Sequence, residues 1–266
     1  MLKKRIIFTL LYCDGFFVQS RNFNLQRVGD VTWLEKNYDF KKISYYIDEL
    51  IILDISRTNK NFNEFIKNLR SITKFCFMPI SAGGGIEKFE DVKKILSNGA
   101  DKVVVNTNLE LNLLKKISKT YGEQSIIASV DLRKDKTKHY VYKKNGSIKI
   151  NISVKKYISE IIRYPVGEIL INSIDQDGTG TGLDFELLNN IPANFNKSLI
   201  MSGGCGNYKH LFDGLKNKKI DAVNTSNLLN FIGDGLKNAR QEILKNKFLL
   251  PTWEVDVIKK LEGKFK

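Results

Sequence analysis

Two glycine-rich segments have the composition of anion-binding loops. Gly83-Gly84-Gly85 and Gly203-Gly204-Cys205-Gly206 each follow a short apolar run and precede a helical pattern. Glycines let backbone N–H groups approach an anion closely, and the N-terminus of a following helix adds a favourable dipole. Asn106-Thr107 and Thr225-Ser226 end the next apolar runs and offer amide and hydroxyl donors. One such loop alone is more typical of a tight turn, but two in register predict a ligand with two phosphates or two other anionic groups.

The two loops lie within a longer internal repeat. Residues 81–107 (SAGGGIEKFEDVKKILSNGADKVVVNT) recur in outline at 201–227 (MSGGCGNYKHLFDGLKNKKIDAVNTSN). The separation between the copies also pairs Leu11 with Asp131. A repeat of half a fold predicts twin sites at the same end of the molecule. One half therefore has a carboxylate, which can act as a general acid or base, where the other half has a hydrocarbon.

Short β-branched runs alternate with longer amphipathic stretches along the whole chain. Since parallel strands need crossover helices, this alternation over 266 residues predicts an α/β fold, a (β/α)8 TIM barrel, which typically needs about 250 residues. We expect a single domain over 1–266, with homologous half-barrels at about 1–120 and 121–240 and a C-terminal tail at about 250–266 that packs outside the barrel. Residues 138–150 predict a hairpin turned at Asn145-Gly146. The eight predicted strands are Ile6–Leu11, Leu50–Ile55, Phe75–Ile80, Val103–Asn106, Ile126–Asp131, Ile169–Asn172, Leu199–Ser202 and Ala222–Thr225.

Composition excludes several classes of protein. The formal net charge is +14, but no basic block with interleaved aromatic residues indicates a nucleic-acid groove. No apolar run approaches the roughly 20 residues that span a bilayer. The three cysteines are widely spaced and odd in number, which favours reduced thiols in a cytoplasmic protein and argues against a metal site. We expect no partner among nucleic acids or membranes.

Four charged residues stand immediately before apolar strand runs: Arg5, Glu49, Lys102 and Glu168. Strand starts lie at the bottom of a parallel barrel, so two cations and two anions are expected to surround its lower opening. Ordinary ion pairs at the rim, each contributing little, are the alternative.

The chain resembles a known enzyme family along most of its length. The segments KRIIFTLLYCDGFFV, DELIILDIS, AGGGIEKFEDVKKILSNGADKVVVNT, ASVDLRK, GEILINSIDQDGTGTGLD and SGGCGN are together similar to the cyclase subunit of imidazole glycerol phosphate synthase, from about Leu2 to Gly233. The resemblance implies a (β/α)8 barrel with a separate glutaminase at its bottom. Ammonia then passes along the barrel axis to the top, where it reacts with a bisphosphorylated imine. No cofactor or metal is implied.

The resemblance also implies roles for individual residues. Asp131 matches one of the family's two catalytic aspartates, whereas the position of the other is occupied by Leu11. A lysine that lies near the substrate in the family is replaced by Gln19 in this chain. Asp101 matches a residue at the glutaminase interface. The four charged residues at the strand starts match the gate through which ammonia enters. The first phosphate site matches Gly85, Asn106 and Thr107, and the second matches Asp177, Gly178, Gly204, Thr225 and Ser226.

Leucine cannot exchange a proton, so three functions are open. The first is an ammonia-channelling subunit of a glutamine-dependent amidotransferase complex. The complex would convert the acetamido group of an N-acetyl sugar to an acetamidino group for the synthesis of a surface glycan (lipopolysaccharide or O-antigen). A sugar amidotransferase would sit at the top of the barrel. This function resembles that of a cyclase-like branch of the family. The second is a true cyclase of histidine biosynthesis, using Asp131 alone or with Asp14. The third is a non-catalytic regulator of a glutaminase.

Overall fold

We describe a computed structural model of the chain over residues 3–37, 43–58, 60–74, 76–226 and 235–251. Its twelve strands are β1 (Arg5–Cys13), β2 (Phe16–Arg21), β3 (Asn24–Gly29), β4 (Glu49–Asp54), β5 (Ile80–Gly83), β6 (Lys102–Val105), β7 (Ile126–Asp135), β8 (Lys138–Lys143), β9 (Ile148–Ser153), β10 (Glu168–Ser173), β11 (Ser198–Ser202) and β12 (Ala222–Thr225). The α-helices of the described residues are α1 (Val31–Asn37), α2 (Phe62–Thr73), α3 (Phe89–Ser97), α4 (Leu111–Tyr121), α5 (Val154–Ile161), α6 (Tyr208–Lys216) and α7 (Gly235–Lys245).

Eight of the strands form a closed parallel barrel, as predicted. They follow the order β10, β11, β12, β1, β4, β5, β6, β7, and β7 pairs with β10 to close the circle. The remaining four strands form two hairpins: β2–β3 continues antiparallel from β1, and β8–β9 continues antiparallel from β7. Each half of the barrel therefore has a hairpin after its first strand, in keeping with the repeat seen in the sequence.

The two-residue period of the strands separates two cores. On β1, Ile6, Phe8 and Leu10 belong to the core between the sheet and the helices, whereas Ile7 points into the barrel. Seven buried residues at this inner level form what we call the apolar belt: Ile7, Ile51, Val104, Ile127, Leu170, Ile200 and Ala222.

Two sequence predictions were wrong in detail. The third barrel strand is Ile80–Gly83, not Phe75–Ile80, because Pro79 lacks an amide donor and the strand that follows it consists mainly of small residues. Leu183–Asn190 is one of the amphipathic stretches from which we expected crossover helices, and it contains only a short 3-10 helix at Phe185–Asn190. The hairpin at 138–150 is confirmed, with Lys144, Asn145 and Gly146 at positive φ in its turn. The predicted tail lies outside the described residues from 252 onwards, and no helix among the described residues is long and apolar enough to cross a bilayer.

Candidate functional site

The carboxyl ends of the barrel strands surround a cavity of about 170 Å³, which we call the mouth cavity. Asp131 of β7 and Leu11 of β1 both line it, at matching positions of the two half-barrels. In parallel barrels the loops at this end carry the chemistry.

Asp131 is buried and held by two amides. Asn106 Nδ2 donates to Asp131 Oδ2 at 3.0 Å, and Asn172 Nδ2 donates to Asp131 Oδ1 at 3.1 Å. Burial raises the pKa of the Asp131 carboxyl to about 6, although the hydrogen bonds from Asn172 and Asn106 act in the opposite direction. A carboxyl that titrates near neutral pH is suited to general acid–base work.

Leu11 gives the mouth cavity an apolar wall, together with Leu25, Leu53 and Phe23. The pairing of β1 with β4 is regular from Ile7↔Glu49 to Tyr12↔Asp54, so no register shift brings another side chain to the position of Leu11. Asp14 lies in the following turn at φ 49°, where its N–H donates to Ser56 Oγ at 2.9 Å. It is not among the residues that line the mouth cavity, and this placement does not favour its use in place of the lost aspartate.

The first predicted phosphate site lies on one side of the mouth cavity. Gly84 has φ 114° and Gly85 has φ 57°, and a Cβ on Gly84 would lie 2.0 Å from the Asp54 carbonyl oxygen. The loop therefore requires glycine for its close approach to β4. Thr107 Oγ1 donates to Asn106 Oδ1 at 3.3 Å and accepts the Lys144 N–H at 3.2 Å. The structure thus brings Gly85, Asn106 and Thr107 to one wall of the cavity that also holds Asp131.

The second predicted phosphate site lines a neighbouring cavity of about 570 Å³, which we call the second cavity. Thr225 Oγ1 donates to the Cys205 carbonyl oxygen at 2.9 Å, so its hydroxyl is engaged with the backbone. Gln19, at the position where the family resemblance implies a lysine, lines this cavity too. All five residues predicted for this site surround it: Asp177, Gly178, Gly204, Thr225 and Ser226.

The β2–β3 hairpin, which we call the hairpin lid, contributes residues to the lining of both cavities. The Asp177 carboxylate accepts hydrogen bonds from the Ser20 hydroxyl and, at 3.1 Å, from the Phe23 N–H. Arg57 Nη2 donates to the Phe23 carbonyl oxygen at 2.6 Å, so the tip of the lid is held from two sides. Sequence reasoning missed this lid, although Asn22 between two alternating runs is a turn signal. Asp177, which lines both cavities, therefore also holds the lid in place.

The opposite end of the barrel holds the four charged residues, here called the charged ring. Arg5 Nη1 lies 3.0 Å from Glu49 Oε2, and a second ion pair joins Arg5 to Glu168. Lys102 Nζ lies 3.0 Å from Glu49 Oε2 and 2.5 Å from Glu168 Oε1. The four residues come from β1, β4, β6 and β10, so the ion pairs span the barrel. Although burial alone would raise it, the pKa of the Glu168 carboxyl is held at about 2 by Arg5 and Lys102.

The interior between the two ends changes in polarity along the axis. The inward side chain two residues further along each of these four strands belongs to the apolar belt. The next level contains three buried hydrogen-bonded side chains, which we call the polar collar: Thr9 Oγ1 donates to Asn224 Oδ1 at 2.8 Å, and Asn224 Nδ2 donates to Ser202 Oγ at 2.8 Å. The mouth cavity includes the collar and reaches the belt at Val104 and Leu170.

Asp101 lies beside the charged ring, at the start of β6. Its Oδ2 accepts the Ile80 N–H at 2.8 Å and so ties β6 to β5. Asp221 does the same for β12 and β11 through the Leu199 N–H at 2.9 Å. Asp101 therefore has a role within the barrel, and its exposure at the bottom leaves the predicted role at a glutaminase interface open.

Comparison with known proteins agrees with this geometry. Residues 5–231 match the family described as "Histidine biosynthesis protein". The chain belongs to the HisF-like family of imidazole glycerol phosphate synthase subunits. It is 48% identical over 244 residues to a provisionally named imidazole glycerol phosphate synthase subunit hisF2 of Parasynechococcus marenigrum, covering 91% of each chain. It is 33% identical over 253 residues to the HisF subunit of Clostridium botulinum (93% of this chain, 98% of the relative) and 35% identical over 235 residues to that of Dictyoglomus thermophilum (87% and 91%).

Proposed function

We propose that this HisF-like barrel conducts ammonia for a glutamine-dependent amidotransferase complex without closing an imidazole ring. A glutaminase at the bottom supplies the ammonia, which enters through the charged ring and leaves at the mouth cavity. The acceptor is the acetamido group of an N-acetyl sugar, activated by a third protein docked at the top. The nitrogen adds to the amide carbon and the amide oxygen leaves, so the net reaction releases one water and yields an acetamidino group for surface glycan synthesis.

The observation that supports this proposal is the difference between the two ends of the barrel axis. All four members of the charged ring are in place and joined by ion pairs, while the mouth has a leucine where the cyclisation needs a second aspartate. The apolar belt between them favours neutral ammonia over ammonium, because transfer of a charge into an apolar interior is strongly unfavourable.

The bottom of the barrel has the features of a docking surface for the glutaminase. Phe77, just before β5, is 49% exposed, and Leu249, whose carbonyl oxygen accepts the Lys4 N–H at 3.1 Å, is 60% exposed. Large exposed apolar side chains near a polar rim are typical of protein interfaces. Lysines and arginines in the last turns of the helices supply that rim: Arg70, Lys94, Lys119, Lys216 and Lys245.

Reconstitution with a glutaminase and an N-acetyl sugar amidotransferase from the same organism tests the proposal. We expect amidination of the sugar, detected by mass spectrometry, to depend on glutamine and on this chain. Glu49→Ala and Lys102→Ala should leave glutamine hydrolysis intact but lower the ratio of sugar amidinated to glutamine consumed. Lys67→Ala, a change at an exposed residue of α2, is the matched control and should leave that ratio unchanged.

Two other outcomes would replace the proposal. If the chain changed the rate of glutamine hydrolysis but the Glu49 and Lys102 variants left amidination unaffected, it would be a regulator of the glutaminase. If it formed the imidazole ring from the bisphosphorylated imine, it would be a true cyclase of histidine biosynthesis.

The cyclase is the second candidate, and specific observations favour it. The relatives named above are imidazole glycerol phosphate synthase subunits, and Asp131 lies in the mouth cavity with its pKa raised to about 6. In this case Asp131 alone performs the proton transfers, and Asp131→Asn abolishes ring closure. In either case we propose that the two glycine loops, with Asn106, Thr107, Asp177 and Ser226, bind a phosphorylated small molecule.

A further inference from the structure

The ammonium group of Lys60 lies directly against the first glycine loop. A Cβ built on Gly85 would be 0.9 Å from Lys60 Nζ and 2.3 Å from Lys60 Cε. Lys60 is on the loop between β4 and α2, outside the lining of the mouth cavity, and it reaches the site through its contact with Gly85, which does line the cavity. Neither the glycine motif nor the family resemblance assigns Lys60 to the site. Its charge acts on the Asp54 carboxyl of the mouth cavity, whose pKa burial raises and Lys60 lowers in part.

A second cation comes from the same loop. Arg57 lines the mouth cavity together with Gly84 and Gly85, and it also donates to the tip of the hairpin lid at Phe23. The lysine that the family has in the hairpin is replaced by Gln19, whose side chain lines the second cavity and not the mouth cavity. The positive charge at the first site is therefore supplied by the loop after β4 and not by the lid.

We propose that Lys60 is the cationic anchor of the first anion site, where its ammonium and the Gly84–Gly85 backbone together bind the phosphate of a phosphomonoester. This inference rests on the proposed anion-binding role of the mouth cavity. A phosphate monoester carries a charge of about −1.5 to −2 at neutral pH, and a hydrogen bond between charged partners is roughly twice as strong as one between neutral groups. Since the anchor is outside the lid, phosphate binding does not require the lid to supply a charge.

Binding of ribose 5-phosphate, with ribose as the uncharged comparison, tests this assignment by titration calorimetry on the full chain. We expect ribose 5-phosphate to bind and Lys60→Met to raise its Kd about 10-fold or more, as loss of a charge-assisted hydrogen bond predicts. Lys60→Arg should retain most of the affinity because it keeps the charge. Lys67→Met removes the same charge from an exposed position on α2 and should match the wild type.

Each failure has its own meaning. If Lys60→Met and Lys67→Met gave the same Kd as the wild type, the assignment of Lys60 would be wrong while the anion site remained. If wild-type protein bound ribose 5-phosphate no better than ribose, both the anchor and the anion-binding role of the mouth would be overturned. Neither result would bear on the passage of ammonia, which is measured separately by the ratio of sugar amidinated to glutamine consumed.

Discussion

The two ends of the barrel differ in how completely they keep the machinery implied by the family resemblance. At the bottom, two cations and two anions form a closed set of ion pairs around the axis. At the mouth, Asp131 retains its two amide donors, but the matching position in the other half-barrel is Leu11. Under the proposed function, the entry of ammonia and its use in the barrel are separate tasks, which lie on separate sets of residues. One task can be lost while the other is kept.

The largest expected effect comes from restoring the second carboxylate at the mouth. Leu11→Asp would place a second carboxylate in the mouth cavity, which Asp131 also lines. Because one positioned acid or base contributes about 10²–10⁴-fold, we expect ring closure with ammonium and the bisphosphorylated imine to rise by about that factor. The measurement is the rate of imidazole product formation.

Leu11→Asn is the matched control, since asparagine has the size of aspartate but its amide cannot act as a general acid or base. It should remain as slow as the wild type. Equal rates for the Asp and Asn variants would mean that the mouth lacks more than one carboxylate. The replacement of an aspartate by Leu11 would then not explain the difference between the two ends.

The next effect concerns the charged ring and its pH dependence. The Glu168 carboxyl has a pKa of about 2 in the folded chain against an ordinary value of 4.5, so it stabilises the fold above pH 4.5 and loses that contribution as the pH falls towards 2. The shift corresponds to about 3 kcal/mol at most. We expect urea unfolding to show that Glu168→Gln is less stable than the wild type at pH 7, and that this difference shrinks at pH 3.

An exposed ion pair provides the control for the ring. Glu186 pairs with Lys134 at 2.5 Å, but its side chain is 62% exposed. Glu186→Gln should therefore change the free energy of unfolding much less than Glu168→Gln at pH 7. If the two substitutions had the same effect, the ring would be no more than a set of surface ion pairs.

The smallest effect is local to the mouth. Ser20→Ala removes the hydroxyl that donates to Asp177 and so loosens the hairpin lid by about 1–2 kcal/mol. Trypsin cleavage after the exposed Arg21 should become about tenfold faster, because it follows the opening of the lid. Ser71→Ala, on α2, should leave the cleavage rate unchanged. Unchanged cleavage of the Ser20 variant would show that the hydrogen bond between Ser20 and Asp177 does not hold the lid in place.

Features that depend on strand order were predictable from the sequence. Each member of the charged ring stands at a strand start, and the two-residue period then sets the level of every inward side chain, including Ile7 above Arg5 and Leu170 above Glu168. The internal repeat likewise placed Leu11 and Asp131 in one cavity. Local pattern and topology together were sufficient for these features.

Features that depend on contacts between distant loops were not predictable. The bond from Ser20 to Asp177 joins positions 157 residues apart, and no local pattern indicates that partner. Lys60 reaches Gly85 only because the loops after β4 and β5 lie side by side. The strand at Ile80–Gly83 escaped detection because small residues give little β-strand signal and its neighbours in the barrel determine its conformation.

The most direct test of the account is the rate at which the unmodified chain closes the imidazole ring. Purified protein would be given the bisphosphorylated imine and an ammonium salt, and the product would be followed with time. We expect the unmodified chain to close the ring at a rate at least about 10²-fold below that of the Leu11→Asp variant. Turnover by the unmodified chain near 10 s⁻¹, the order of magnitude of an ordinary enzyme, would contradict it.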